Sequence, residues 1–287
     1  MSIGNLRDNG NKGNNFPYQL RSLQLLGAID SGINNLVLNG LGQSPTATDA
    51  FGRQRVSEPF TLFDSSNRYG DNGLWATAGV AGGAQFNSDQ GLMDLSVKLS
   101  NLGEYVYRET YKVFSYQPGK SLLLLNTFVM NPAVFGLRQR VGYFGTQNGF
   151  YLELYGSTLS FVKRSYITGA VVNTPVTQSN WNYDKLDGTG PSGITLDITK
   201  AQILWTDMEW LGVGSVRMGF VINGQFILCH TFQHANIIDS TYITTASLPL
   251  RYEIEVIQDS PGAATLKQIC STAISEGGYE IRGFSRT

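Results

Sequence analysis

The chain is poor in charge. Only 15% of its 287 residues are Asp, Glu, Lys or Arg, against the usual quarter. The net charge is -1, so broad electrostatic attraction to nucleic acid or to an anionic membrane is not expected, although a local basic patch stays open. Cysteine is scarce as well. Cys229 and Cys270 are the only two, too few for a disulfide scaffold, and buried free thiols are the expectation. No apolar h-region opens the chain, so no secretory signal is expected. The longest apolar run, around Leu122 to Leu125, is far too short to span a bilayer. These absences predict a soluble protein made in a reducing cytoplasm.

What is present is a β pattern. Residues 203 to 232, ILWTDMEWLGVGSVRMGFVINGQFILCHTF, organise the rest. From Ile203 to Trp210 apolar side chains occupy both alternating sets, with Leu204, Met208 and Trp210 on one face and Ile203 and Trp205 on the other. Successive side chains of a strand point to opposite faces, so this strand is covered on much of both. Gly212 and Gly214 break it. Val216, Met218, Phe220 and Ile222 then alternate with smaller or polar residues, the period of a half-buried strand. Asn223-Gly224 follows, the pair that best tolerates the positive φ angles of a type I′ turn. Phe226, Leu228, His230 and Phe232 alternate on the return.

Strands and turns continue on both sides of this hairpin. Met93, Leu95, Val97 and Leu99 alternate against Asp94, Ser96 and Lys98. Tyr105, Tyr107, Tyr111 and Val113 alternate against Arg108, Thr110 and Lys112. SLLLLNTFVM follows the Pro118-Gly119 turn as a buried strand, and Phe150, Leu152 and Leu154 share one face of a hairpin that turns at Gly156-Ser157. Residues 177 to 193, TQSNWNYDKLDGTGPSG, form a long polar loop, and Tyr252, Ile254 and Val256 make a strand after Pro249. Many short strands with hardly any helix after residue 40 predict a mostly β chain, a β-sandwich of jelly-roll or lectin-like type over residues 60–287. Its expected core includes Leu95, Val97, Leu123, Phe128, Leu152, Leu154, Leu204, Met208, Phe220, Ile222, Leu228 and Ile254.

Residues 1–40 are set apart as an arm and one short helix. Residues 2 to 16 carry five asparagines and three glycines and bury too little apolar surface to order themselves. Pro17 can open a helix, and Leu20, Leu23, Leu26, Ile29 and Ile33 recur at three- and four-residue steps. The pattern predicts a helix from about residue 17 to about 30, weakened by Gly27 and Gly32. Its stripe needs a cover, either its own sheet or the same helix in sister subunits, with a trimer preferred. Residues 41–59 are a linker, Gly-, Ser- and Thr-rich at first.

No catalytic residue, metal ligand or cofactor site is assigned. Asp207 and Glu209 come nearest to a catalytic pair, since on one strand they point the same way with Cα atoms about 6.5 Å apart. Paired carboxylates cleave glycosides, but lectin-like glycosidases carry a further Glu where this chain has Trp205. A cross-strand ion pair of Glu209 with Arg217 is the structural alternative. His230 and His234 would suit zinc on a helix, but on a strand that spacing separates them by about 13 Å. Asp184, Asp187 and Asp197 flank a Gly-rich loop without EF-hand spacing, so a solvated loop stands against calcium. Gly119-Lys120-Ser121 lacks the first glycine of a P-loop, and no Gly-x-Ser-x-Gly elbow occurs. Tyr151 and Tyr155 on the polar face of a strand, with Trp181 and Tyr183 in the long loop, are the candidate binding or interface aromatics.

Four stretches resemble virion structural proteins of tailed bacteriophages, cyanophages among them. They are GNKGNNFPYQL, DAFGRQRVSEPFTLFD, NWNYDKLDGTGPSGITLDITKAQILWTDMEWLGVG and KQICSTAISEGGY. The resemblance implies a particle component working through assembly contacts, found in the virion after synthesis in the host cytoplasm. Other virion proteins and further copies of the chain are then the partners. A receptor- or glycan-binding adhesin meeting a host surface glycan is the alternative, and a glycoside hydrolase the third reading.

Overall fold

The computed structural model describes residues 58–259 and 262–279. The N-terminal arm, the predicted helix with its stripe of Leu20, Leu23, Leu26, Ile29 and Ile33, and the linker up to residue 57 lie outside the described residues. In chain order come β1 (Phe60–Ser66), β2 (Trp75–Val80), β3 (Gly83–Asn87), β4 (Leu92–Val97), β5 (Tyr105–Thr110) and the two-residue β6 (Phe114–Ser115). Then follow β7 (Leu122–Val129), β8 (Leu137–Phe144), β9 (Gly149–Tyr155), β10 (Thr158–Ser165) and β11 (Val172–Thr177). A single 3-10 turn at Gln178–Asn180 precedes β12 (Gln202–Met208), β13 (Val216–Ile222) and β14 (Gln225–Phe232). β15 (Ser247–Leu248), β16 (Leu250–Val256) and β17 (Ala264–Ser275) complete the described strands.

Two antiparallel sheets face each other. One has the order β14-β13-β12-β7-β17-β4-β3, with β1 also on β17. The other has the order β11-β10-β9-β8-β16-β5-β2. The fold is thus a β-sandwich of jelly-roll or lectin-like type. Its core is the alternating inward set of both sheets, including Leu95, Phe128, Val141, Leu152, Phe161, Leu204, Phe220 and Ile254. Each large apolar side chain so buried contributes about 1.5–3 kcal/mol as an upper range.

The central hairpin forms as its sequence predicts. Asn223 and Gly224 have φ of 53° and 76°, the type I′ signature. Its return strand departs from simple alternation. Ile227 lies opposite Phe220, but His230 lies opposite Met218, which leaves Cys229 as the extra residue of a bulge. Phe226 and Leu228 therefore face outward, Leu228 half-buried, while His230 and Phe232 face inward. Of the expected core, Ile222 is only half-buried at the strand end, and Leu123 is buried on the outward side of its sheet.

β5 is reversed relative to expectation. Val106, Arg108 and Thr110 face inward, and Tyr105 and Tyr107 face outward. Arg108 is 1% exposed. Burial is tolerable because Asp71 receives both of its terminal nitrogens, at 2.8 and 3.0 Å. Tyr111 and Val113 lie beyond the strand and are exposed.

The long polar loop straps the free edge of β14. The amides of Tyr183 and Asp184 donate to the carbonyls of Cys229 and Leu228 at 3.0 and 3.2 Å. The Asn182 side chain accepts from the Thr231 amide and donates to its carbonyl, at 2.9 and 3.0 Å. An edge strand so covered cannot pair with another chain there.

Candidate functional site

The outward face of the seven-stranded sheet carries the densest polar constellation among the described residues. Its strands each turn an apolar set inward, as Leu250, Tyr252, Ile254 and Val256 do in β16. Period-2 alternation then throws Arg251, Glu253 and Glu255 outward. The register aligns three rows. Ser160, Glu153, Arg140, Glu253 and Tyr107 lie opposite one another across β10, β9, β8, β16 and β5. Val162, Tyr151, Gly142, Arg251 and Glu109 form the second row, and Thr158, Tyr155, Arg138, Glu255 and Tyr105 the third.

Ion pairs knit these rows together. Arg140 Nη2 reaches Glu255 at 2.6 Å and Glu253 at 3.0 Å. Arg138 also holds Glu255, at 2.5 Å. Arg251 holds Glu253 at 2.7 Å and Glu109 at 2.9 Å. Arg140 is 5% exposed, so water screens the lattice far less than it screens ordinary surface pairs. The arginines also lie over rings: Arg251 stands 3.7 Å from the centroid of Tyr107, and Arg164 stands 5.1 Å from that of Tyr151. Phe144, Tyr151 and Val162 make a small apolar cluster beneath them.

The two central glutamates are pushed in opposite directions. Burial pushes the Glu153 carboxyl up, against the pull of Arg140 and Arg138. Burial acts on Glu253 too, but Arg140 and Arg251 outweigh it and hold that carboxyl below its usual range. Burial drives the Tyr151 phenol up and the Arg164 guanidinium down.

The residues singled out by sequence are scattered. Asp207 is fully buried on the outward face of the other sheet, where it pairs with Arg217 directly across β12 and β13. Glu209 lies one residue past the end of β12. There its backbone carbonyl accepts the Tyr242 hydroxyl at 2.7 Å. His230 is buried, and its Nδ1 accepts the Asn182 amide at 3.3 Å. His234 stacks on Tyr242 at 4.0 Å. Burial drives both imidazoles down to about 4. Among the described residues no cluster of three His, Cys, Asp or Glu could hold a metal ion.

Asp184, Asp187 and Asp197 cap turns of their own loop. Asp184 accepts the amides of Leu186 and Ser192 at 2.8 and 2.7 Å. Asp187 and Asp197 accept from Thr189 and Thr199, whose hydrogen bonds hold both carboxyls below their usual range.

The aromatics divide. Trp181 is a correction, because it is 2% exposed. It stacks on Phe161 at 4.3 Å, and its indole N–H donates to the Val176 carbonyl at 3.2 Å. The strap on β14 draws it between the sheets. Tyr151 does occupy the outward face but is fully covered, roofed by Arg164 and hydrogen-bonded to Asn173 at 3.1 Å. Tyr155 and Tyr183 are 45% and 50% exposed. Cys229 and Cys270 are free thiols, the first buried and the second half-buried. The Arg–Glu lattice was missed, although Arg251-x-Glu253-x-Glu255 and Arg138-x-Arg140 are charged at strand period.

No protein-family model matches the chain, and no curated protein does. Solved structures align with it at low similarity. A protein of unknown function from Shewanella oneidensis MR-1 aligns with 82% of this chain and 93% of its own, at 8% identity and a TM-score of 0.48. The Emp47p carbohydrate recognition domain aligns with 78% of this chain and 99% of its own, at 10% identity and a TM-score of 0.46. The botulinum neurotoxin serotype C1 binding domain aligns with 77% of this chain and only 49% of its own, at 12% identity and a TM-score of 0.44. Likenesses this distant say nothing of what the chain binds.

Proposed function

We propose that the chain is a structural component of a tailed-bacteriophage virion, a head- or tail-attached decoration, fibre or baseplate protein, that works by holding contacts and not by turnover. The observation that carries the non-catalytic part is the lattice. Glu253 and Glu255, central on the outward face, are each held by two arginines. Carboxylates so engaged are poor proton carriers but make a rigid, preordered surface. The virion part is supported by the four resembling stretches at 10–20, 49–64, 180–214 and 267–279.

Mass spectrometry of purified particles tests this reading. Hundreds of copies per virion place the protein in the head or tail tube, a handful in a fibre or baseplate, and its absence from particles refutes the proposal. Within the same reading residues 1–40 anchor the protein, through a three-fold bundle of the Leu20, Leu23, Leu26, Ile29 and Ile33 stripes. A chain lacking residues 2 to 38 then stays folded but loses its place on the particle and its trimeric state.

A second reading, a receptor- or glycan-binding adhesin module of the same particle, is favoured by the rim of the lattice. Tyr155, Tyr105 and Tyr107 stand there partly exposed beside hydrogen-bonding charges. Aromatic faces flanked by such groups suit sugars and protein anchors alike. Selective retention on a glycan array separates this reading from a purely structural role.

A further inference from the structure

Four glutamates point outward from the seven-stranded sheet, and three accept hydrogen bonds from arginine. Glu109 and Glu253 accept from Arg251, and Glu255 accepts from Arg138 and Arg140. Glu153 differs. No hydrogen bond among the described residues ends on its carboxylate, and its nearest cationic atom, Arg140 Nε, stands off at 3.7 Å. That Nε is itself buried without a hydrogen-bond partner. Yet the Glu153 side chain is 16% exposed, so the carboxylate opens to solvent. Tyr155, two residues along the same face, presents a half-open ring. Ser160, directly across from Glu153 on β10, is itself buried and gives that carboxylate no hydrogen bond.

We propose that Glu153 and Tyr155 form a binding site for a neutral saccharide, an inference that rests on the adhesin reading above. Charge and hydrogen-bond type decide the class. An ionised carboxylate only accepts, so its ligand must bring donors. An acidic sugar would set a second carboxylate against Glu153. A cation brings donors but would enter beside Arg140 and Arg138, whose charges already act on this carboxyl. A neutral polyol avoids both repulsions. Its hydroxyls donate to Glu153, while its C–H face lies on the Tyr155 ring. Burial holds the Glu153 carboxyl high while it lacks donors, and ligand hydroxyls supply the missing stabilisation.

The test uses the full chain on a printed array of neutral hexose and N-acetylhexosamine oligosaccharides beside sialylated and uronic-acid oligosaccharides. Neutral probes are retained, and Glu153→Gln and Tyr155→Ala each weaken retention at least tenfold. Tyr69→Ala, which removes an exposed tyrosine in the loop after β1, leaves retention unchanged. Melting curves confirm that each variant is folded, and the exposed Tyr155 keeps the test valid should Glu153→Gln unfold. Neutral binding that survives both substitutions overturns this site while the adhesin reading stands. Retention of acidic probes alone overturns the ligand class. No retention of any probe overturns site and adhesin reading together. Unchanged array behaviour with Glu153→Gln missing from particles makes the face a protein contact and also overturns the proposal.

Discussion

Replacing Arg140 with Met tests whether the lattice holds the sheet together. Met keeps most of the aliphatic stem, so the substitution removes chiefly the charge. Breaking a buried ion pair by deleting one partner costs about 3–5 kcal/mol when the other charge is stranded. Here the strand is partial, because Glu253 keeps Arg251 at 2.7 Å and Glu255 keeps Arg138 at 2.5 Å. The expected loss is therefore roughly half, about 2 kcal/mol. For a domain of about 200 residues that lowers Tm by roughly 4–8 °C. Thermal melts of both proteins across pH provide the check. Arg140 and Arg251 hold the folded Glu253 carboxyl below its ordinary value of 4.5. Its contribution is thus present above that value and is lost as pH falls through the folded one. The native protein therefore loses more stability on acidification than Arg140→Met, and the two curves converge. A gap under about 0.5 kcal/mol at neutral pH refutes the reasoning, since it marks a pair worth no more than an exposed one. An undiminished gap at pH near 3 refutes it differently, by tracing the loss to packing.

Three further outcomes follow from the same geometry. Asp71→Asn strands the buried Arg108 guanidinium and costs about 2–3 kcal/mol in urea unfolding, the lower end allowing for solvent access at Asp71; a neutral effect sinks the interior ion pair. Trp181→Ala opens a void between Phe161 and Phe220 and costs about 3–5 kcal/mol, so any loss of ligand retention in that variant tracks unfolding and not a lost contact. Glu153→Gln is at least as stable as the native chain at neutral pH. Its advantage fades as pH falls through the raised folded value of Glu153 and is gone below 4.5, where that carboxyl is neutral in both states; a large destabilisation at pH 7 contradicts the desolvated carboxylate.

Local patterns were legible and long-range partners were not. The Asn223-Gly224 turn and the inward Val216, Met218 and Phe220 could be read from spacing alone. The change of phase at Cys229 could not, because a bulge leaves no mark on composition. Arg108 read as an outward residue because its partner, Asp71, lies 37 positions away. Trp181 read as exposed from its polar surroundings, yet those asparagines and aspartates serve to strap β14 and cap turns. The lattice was half visible. Arg251, Glu253 and Glu255 alternate at strand period, but Arg140 joins Glu255 across 115 residues, and only the strand order reveals it. Two of the resembling stretches also meet, since β1 pairs with β17 from Phe60 opposite Ser275 to Ser66 opposite Cys270.

The outward face of the seven-stranded sheet has a kinetic consequence. Arg138, Arg140, Arg164 and Arg251 are matched there by Glu109, Glu153, Glu253 and Glu255, so the patch has no net charge. Signs that alternate over a few ångströms cancel at a distance, and what remains is screened within about 8 Å at physiological ionic strength. A partner approaching this face receives no electrostatic steering. Encounter then runs at the unsteered rate of about 10⁵–10⁶ M⁻¹s⁻¹ and changes little with salt. Whatever this surface captures, dissociation sets how long it is held.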